Sequence, residues 1–307
     1  MMTPEVVVVG SLNMDLRLTV DRLPRSGETV SATGLVRSPG GKGANQAVAA
    51  ARLGRRVAMV GAVGDDDDGR AIRRRLAVEG LVLEGLATAD RPTGVAVVLW
   101  EQPESTIVIE PGANAVVDEA FVTERADLVR DAAAVLCQCE TPLGALRAVA
   151  ATATGTTVLN PAPAVPLPAP VRAAFRVLVP NRFELATLVG ASDEPVGTDA
   201  VLAMVRMLDH PGDVVVTLGA DGALVVPAGG APVTVPAERV DAVDTTAAGD
   251  SFCAALADGL LHGGDLVESA RWAAHVAAST TTRHGAVDSL PRATDLAPEG
   301  TRIPLHS

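Results

Sequence analysis

The 307-residue chain contains no tyrosine, two tryptophans and four phenylalanines, so aromatic residues make up only 2% of it. Stacking platforms of the kind that hold single-stranded nucleic acid have few rings to draw on. Positive charge is also short. Lys and Arg number 25 against 37 Asp and Glu, a net charge of −12, which argues against nucleic acid or an anionic membrane as a partner. Cys137, Cys139 and Cys253 form no CxxC pair and no disulfide framework. His210, His262, His275, His284 and His306 fall at no metal-binding spacing. No apolar run approaches the roughly 18 residues of a membrane-spanning helix, and the start, Met1 to Glu5, lacks the basic and apolar regions of a signal peptide. A cytoplasmic, soluble globular enzyme is expected.

What is present fits that class. Hydrophobic residues at 48% and charged residues at 20% supply a large core, and the length suits two packed units. One scarcity is specific: Lys42 is the only lysine, all the other basic residues being arginine. Asn13, Asn45, Asn114, Asn160 and Asn181 are the only asparagines. A compact ammonium kept at one position in an arginine-rich chain points to a site where its shape matters.

Short, almost uninterrupted apolar runs recur at 5–9, 57–60, 133–136, 156–159, 176–179 and 214–218. Such runs are expected of parallel strands covered on both faces. Helical spacing separates them, at 43–53, 69–79, 119–129, 144–151, 182–189 and 198–208, and two long helical patterns follow at 247–261 and 266–282. The alternation predicts an α/β layered core with a mostly parallel central sheet flanked by helices. Residues 13–20, 28–38, 94–99 and 105–109 instead alternate polar with apolar, the mark of strands with one wet face. They predict a small β-sheet lid over the core's mouth. The lid is assigned to 13–38 and 93–110, and the core to 1–12, 39–92 and 111–307.

In open α/β sheets ligands bind beyond the carboxyl ends of the strands. Asn13, Asp15, Glu140, Asn160, Asn181 and the Thr217-Leu218-Gly219 turn all follow predicted strands, placing them on one sheet edge. Helix and turn capping explains any one of them, but not the gathering. Two glycine-rich helix starts face the same edge. Pro39-Gly40-Gly41-Lys42-Gly43-Ala44-Asn45 places the lone lysine where free N–H groups meet a ligand. It is neither a Walker loop nor a dinucleotide fingerprint, because Gly43 follows Lys42 and Gln46 stands where the third glycine would fall. Asp244-Thr245-Thr246-Ala247-Ala248-Gly249-Asp250-Ser251-Phe252 opens a long apolar helix. Its free N–H groups suit charge developing on a phosphoryl group, and Asp250 could accept the proton of an attacking alcohol. A serine hydrolase is disfavoured, since no Gly-x-Ser-x-Gly elbow surrounds Ser251.

Taken together these segments resemble the ribokinase family of carbohydrate kinases, from Val6 to about Pro291. Further matching stretches are Gly10 to Asp15, Leu23-Pro24, Gly27-Glu28-Thr29, Gly61 to Asp66, Asn160 to Ala164, Asn181-x-x-Glu184 and Thr217-Leu218-Gly219-x-x-Gly222. The resemblance implies ATP-dependent phosphorylation of D-ribose at its 5-hydroxyl, with Mg²⁺ and stimulation by potassium. It implies Asp250 as the base, and the N–H groups of Ala247, Ala248 and Gly249 as an anion hole. Asn13, Asp15, Gly41, Lys42, Asn45 and Glu140 are implied to bind sugar hydroxyls. Asn181 and Glu184 are implied to orient Mg²⁺ and phosphates, and Thr217, Gly219 and Gly222, with Gly249, to meet the nucleotide. A monovalent cation, typically potassium, is implied near Asp244, Thr246, Thr280, Arg283, Gly285 and Ser289, several of them acting through backbone carbonyls. A homodimer through the lid is implied as well. Alternatives are a family kinase for another sugar or a nucleoside, and a sugar-binding regulator without the chemistry.

Overall fold

The computed structural model describes residues 3–101 and 104–296. Its strands are β1 (Val6–Val9), β2 (Asn13–Thr19), β3 (Gly34–Gly40), β4 (Val57–Gly64), β5 (Leu86–Ala89), β6 (Gly94–Glu101), β7 (Glu104–Glu110), β8 (Ala134–Cys137), β9 (Thr156–Leu159), β10 (Val177–Leu178), β11 (Asp213–Thr217), β12 (Ala223–Val226) and β13 (Val233–Val235). The helices are α1 (Lys42–Arg52), α2 (Asp67–Val78), α3 (Glu119–Thr123), α4 (Ala126–Asp131), α5 (Leu143–Thr152), α6 (Ala169–Arg172), α7 (Arg182–Val189), α8 (Thr198–Leu208), α9 (Ala248–Leu261) and α10 (Leu266–Thr281).

The large sheet has nine strands in the order β13-β12-β11-β10-β9-β8-β1-β4-β5. From β5 to β11 every pairing is parallel, and β12 and β13 add an antiparallel edge. Helices cover both faces. Val6 and Val8 pack into one core with α1, α2, α9 and α10, while Val7 and Val9 pack into a second core with α5, α7 and α8. That is why β1 reads as four consecutive valines: burial of each is worth about 1.5–3 kcal/mol, so neither face tolerates a polar residue. The small sheet, in the order β3-β2-β6-β7, is separate. Its strands β2 and β6 run parallel, and each edge strand is antiparallel to its neighbour.

Two differences from the sequence reading have physical causes. The alternation from Glu28 predicts a strand, but β3 starts at Gly34, because β2 ends at Thr19 opposite Gly34 and, among the described residues, the ladder goes no further than the Thr33 N–H donating to Thr19 O. The single helix expected over 119–129 is broken into α3 and α4 around Arg125, whose side chain donates to Gly85 O and Phe121 O. Strand β8 stops at Cys137, so Cys139 lies beyond the sheet. The hairpin strands β12 and β13 and the short β5 were not singled out by periodicity, being only three or four residues long. Among the described residues no helix is long and apolar enough to cross a membrane.

Candidate active site

The Gly40-Gly41 turn delivers β3 into α1, and its geometry explains its composition. Gly41 has φ +90°, and a Cβ there would lie 2.7 Å from the Asn13 backbone nitrogen. Only glycine fits both the left-handed backbone and that close approach. Lys42 then opens α1, with Asn45 and Gln46 buried one turn further along. From the facing helix α9, Asp250 comes to meet them, buried itself. Asn45 Nδ2 donates to Asp250 Oδ2 at 2.9 Å, and Gln46 Nε2 donates to Oδ1 at 3.1 Å. Asn45 Oδ1 is buried with no partner among the described residues. An orphan acceptor at this point calls for a donor such as a ligand hydroxyl.

The remaining acids close around the same lysine. Glu140 Oε2 accepts from Ser11 Oγ, from Asn13 Nδ2 at 3.4 Å and from the Lys42 N–H at 3.4 Å. Asn13 is also held from behind by Asn114, whose Nδ2 donates to Asn13 Oδ1 at 2.7 Å. Asp15 stands beside them on β2, and burial together with the charges of Glu140 and Asp250 raises its pKa to about 7 against the opposing pull of Lys42. Burial likewise pushes Asp250, Glu140 and Glu184 up. Burial works against the Lys42 ammonium, yet Asp250, Glu140 and Glu184 outweigh it and hold its pKa above the usual lysine value. Four carboxyl groups thus surround one cation, which answers why the chain keeps a single lysine and where.

The start of α9 supplies the opposite polarity. Ala247 is its N-cap at φ +62°, a left-handed conformation costing an L-residue roughly 1–2 kcal/mol. Of the three N–H groups expected to form an anion hole, that of Ala248 donates to Thr245 O at 3.2 Å. The N–H groups of Ala247, Gly249 and Asp250 have no partner among the described residues. The unpaired N–H groups at this helix start are therefore those of Ala247, Gly249 and Asp250, and Ala248 closes the turn beneath them.

Two cavities meet here. A polar one of about 210 Å³ is lined by Lys42, Asn160, Asn181, Glu184, Ala247 and Asp250, among others. A cleft of about 560 Å³ runs outward past Gly219, Gly222, Ala237 to Val240, Ala274 and Thr281. Both share Thr217, Thr245 and Gly249. The cleft's wall of alanines and glycines suits a flat, weakly polar group. The cleft segment Ala237 to Val240 carries no motif and was not foreseen. Gln46 and Asn114 were visible, one inside the glycine-rich run and the other among five scarce asparagines, but neither was given a role.

Two cation sites are implied. Asn181 caps α7: its Oδ1 accepts from the Glu184 N–H at 2.8 Å, and Glu184 Oε2 accepts from the Asn181 N–H at 2.8 Å. Glu184 also lines the polar cavity, so one carboxylate is offered to a magnesium ion that keeps most of its ligands as water and phosphate. That fits. The residues implied for potassium, several of them through backbone carbonyls, have side chains with local partners. Thr280 Oγ1 donates to Val276 O and lies 2.9 Å from Ser251 Oγ, Ser289 Oγ donates to Ala286 O, and Arg283 pairs with Asp295. Asp244 receives the N–H groups of Thr246 and Gly285, each at 3.0 Å, and Arg17 Nη1 from β2 at 2.7 Å. Burial opposes its charge, but those donors and Arg17 hold its pKa below the usual carboxylate value. Arg17 thus occupies one oxygen of the Asp244 carboxylate, Oδ2. Among the described residues no group of three or more His, Cys, Asp or Glu could hold a metal.

Comparison with known proteins agrees with this geometry. A family model described as "pfkB family carbohydrate kinase" matches residues 3–293. The chain is 38% identical over 300 residues to ribokinase of Schizosaccharomyces pombe, covering 93% of this chain and 94% of that protein. It is 35% identical over 290 residues to ribokinase of Bacillus subtilis, covering 93% and 96%. The structure of Arabidopsis thaliana ribokinase complexed with ribose and ATP superposes with a TM-score of 0.85 at 32% identity, covering 96% of this chain and 98% of that one.

Proposed function

The chain belongs to the pfkB family of carbohydrate kinases, and from that premise we propose that it transfers the γ-phosphoryl group of ATP to the 5-hydroxyl of D-ribose, giving ribose 5-phosphate. The observation that carries the reading is that Asp250 opens on the polar cavity at the point where the outer cleft joins it. An acceptor hydroxyl and a nucleotide phosphate therefore meet at one carboxylate and one helix N-terminus.

The sugar lies at the Lys42 and Asp250 end of the polar cavity, its hydroxyls reaching past that lining to Asp15, Asn45 and Glu140, with Asn13 and the Gly41 turn behind them. ATP lies in the cleft with its base along Gly219, Gly222 and Ala274 and its γ-phosphate toward α9. Asp250 takes the proton of the attacking hydroxyl as the new O–P bond forms, and the bond to the bridging oxygen breaks in line. The free N–H groups of Ala247, Gly249 and Asp250 face the charge that builds on the transferred group. Loss of one such donor costs about 3–4 kcal/mol in comparable sites. Lys42 offsets the negative charge gathered around it, and the small sheet acts as the lid that keeps water out. Magnesium, when bound, neutralises phosphate charge, with Glu184 and Asn181 on its water shell. A potassium ion, when bound as an activator, would be held beside Asp244, near the Arg17 guanidinium, and no step of the transfer runs through it. A cytoplasmic site of action and pairing of two copies through the lid belong to the same reading.

The test is ADP release with ATP and Mg²⁺ over a panel of D-ribose, deoxyribose, fructose and adenosine. Ribose is expected to give the highest kcat/KM. Preference for adenosine or fructose would move the substrate and leave the family standing.

A further inference from the structure

Two glutamines, Gln46 and Gln138, are buried at the centre of the fold, at 0% and 1% exposure, beside the carboxylate just described. Burying an amide in such an interior costs free energy wherever its hydrogen bonds are not met. Gln138 Oε1 has no partner among the described residues, and the bonds that are made run in one direction. Asn160 Nδ2 donates to Val179 O at 3.0 Å, a backbone carbonyl that can only accept, so Asn160 Oδ1 turns toward Gln46. Gln138 Nε2 donates to Gln46 Oε1 at 2.7 Å, which fixes the other end of the same amide. Both contacts leave Gln46 Nε2 facing Asp250 Oδ1. The reverse orientation would set the Gln46 carbonyl against the carboxylate. Room for the Gln138 amide comes from Gly10, where a Cβ would lie 2.0 Å from Gln138 Oε1.

We propose that Gln46 is a positioning residue for the base Asp250, and that Gln138 and Asn160 set which end of its amide meets that carboxylate. The inference rests on the kinase reading. Asn45 grips Oδ2 and Gln46 grips Oδ1, both from α1, so the plane of the carboxylate is fixed and one lone pair stays aimed at the cavity. Gripping matters because the surroundings oppose the charged form: burial acts on Asp250, and Asp15, Glu140 and Glu184 face it as like charges, with the Cys253 thiol on its own helix. Only Lys42 and the two amides favour the anion.

The experiment compares Gln46→Met and Gln138→Met with the wild type in kcat against pH from about 5.5 to 9 with ribose and MgATP. Ribose affinity is measured in parallel by calorimetry without nucleotide. Gln46→Met is expected to lower kcat about 10–100-fold and to move the acid limb of the kcat profile about one pH unit upward, as loss of a donor to a charged base should. Gln138→Met is expected to change both in the same direction, about 3–10-fold in kcat. Ribose affinity stays within about threefold in each. An unchanged kcat, a fall in kcat with the acid limb unmoved, or an equal loss of ribose affinity would overturn the assignment. Should Gln46→Met fail to fold, Gln138→Met, which touches neither substrate nor base, decides by the same criteria. Absence of ribose-dependent turnover in the wild type would instead fault the kinase reading itself.

Discussion

Burial and the neighbouring charges of Glu140 and Asp250 raise the pKa of Asp15 to about 7, in the neutral range. As a carboxylate it accepts hydrogen bonds from sugar hydroxyls, and as an acid it loses part of that capacity. Ribose affinity measured by calorimetry is therefore expected to rise between pH 6 and pH 8, and Asp15→Asn is expected to flatten the slope. An unchanged slope in that variant would remove Asp15 from the binding role. The stability consequence has the opposite sign. A folded pKa above the ordinary value of about 3.9 means that the folded chain holds a proton the unfolded chain has released. That contribution is complete below the ordinary value and is lost as pH rises through about 7. Sugar binding and fold stability thus respond oppositely to pH at this residue.

At the scale of elements, β2 links the small sheet to the core. Its Arg17 guanidinium lies 4.0 Å over the Trp100 ring and reaches Asp244 ahead of α9. The pair is largely sheltered from solvent, with 18% and 4% side-chain exposure, so salt screens it little. Removing the guanidinium leaves Asp244 open to a monovalent cation. The melting temperature of Arg17→Leu is expected to rise by a few degrees when potassium replaces choline at constant ionic strength, and that of the wild type to rise less. Identical behaviour of the two proteins would separate Arg17 from the cation site. This link could not be read from sequence, because Arg17 and Asp244 are 227 positions apart and neither alternation nor helical spacing reports such a pairing. The strands and long helices were legible, since a sheet covered on both faces leaves continuous apolar runs such as Val6–Val9. The start of β3 and the break at Arg125 were not, because both depend on a partner elsewhere in the chain. The site's main residues were legible through composition, the lone lysine and scarce asparagines marking one sheet edge. The amide network behind Asp250 was not, since glutamine carries no positional signature.

The whole molecule places its polar residues between two sheets and an apolar face outside. Cross-strand register puts Leu18, Leu35, Leu99, Val97 and Val108 on one side of the small sheet, opposite the side that carries Asp15 and Arg17. Leu35 and Val108 are 65% and 63% exposed. A continuous apolar face of this kind suits a partner surface, and a second copy of the same sheet is the occupant in the proposed homodimer. Sedimentation at micromolar concentration is expected to give twice the chain mass for the wild type and the single-chain mass for the Leu35→Asp, Val108→Asp double variant. A monomeric wild type would contradict the pairing. The central claim lies in the interior, where Asp250 removes a proton from the sugar hydroxyl that attacks ATP. It is tested most directly by ribose-dependent ADP release from Asp250→Asn beside ribose binding by the same variant. The account predicts turnover reduced at least about a thousandfold with ribose affinity and melting temperature close to wild type. Turnover within about tenfold of wild type would contradict it.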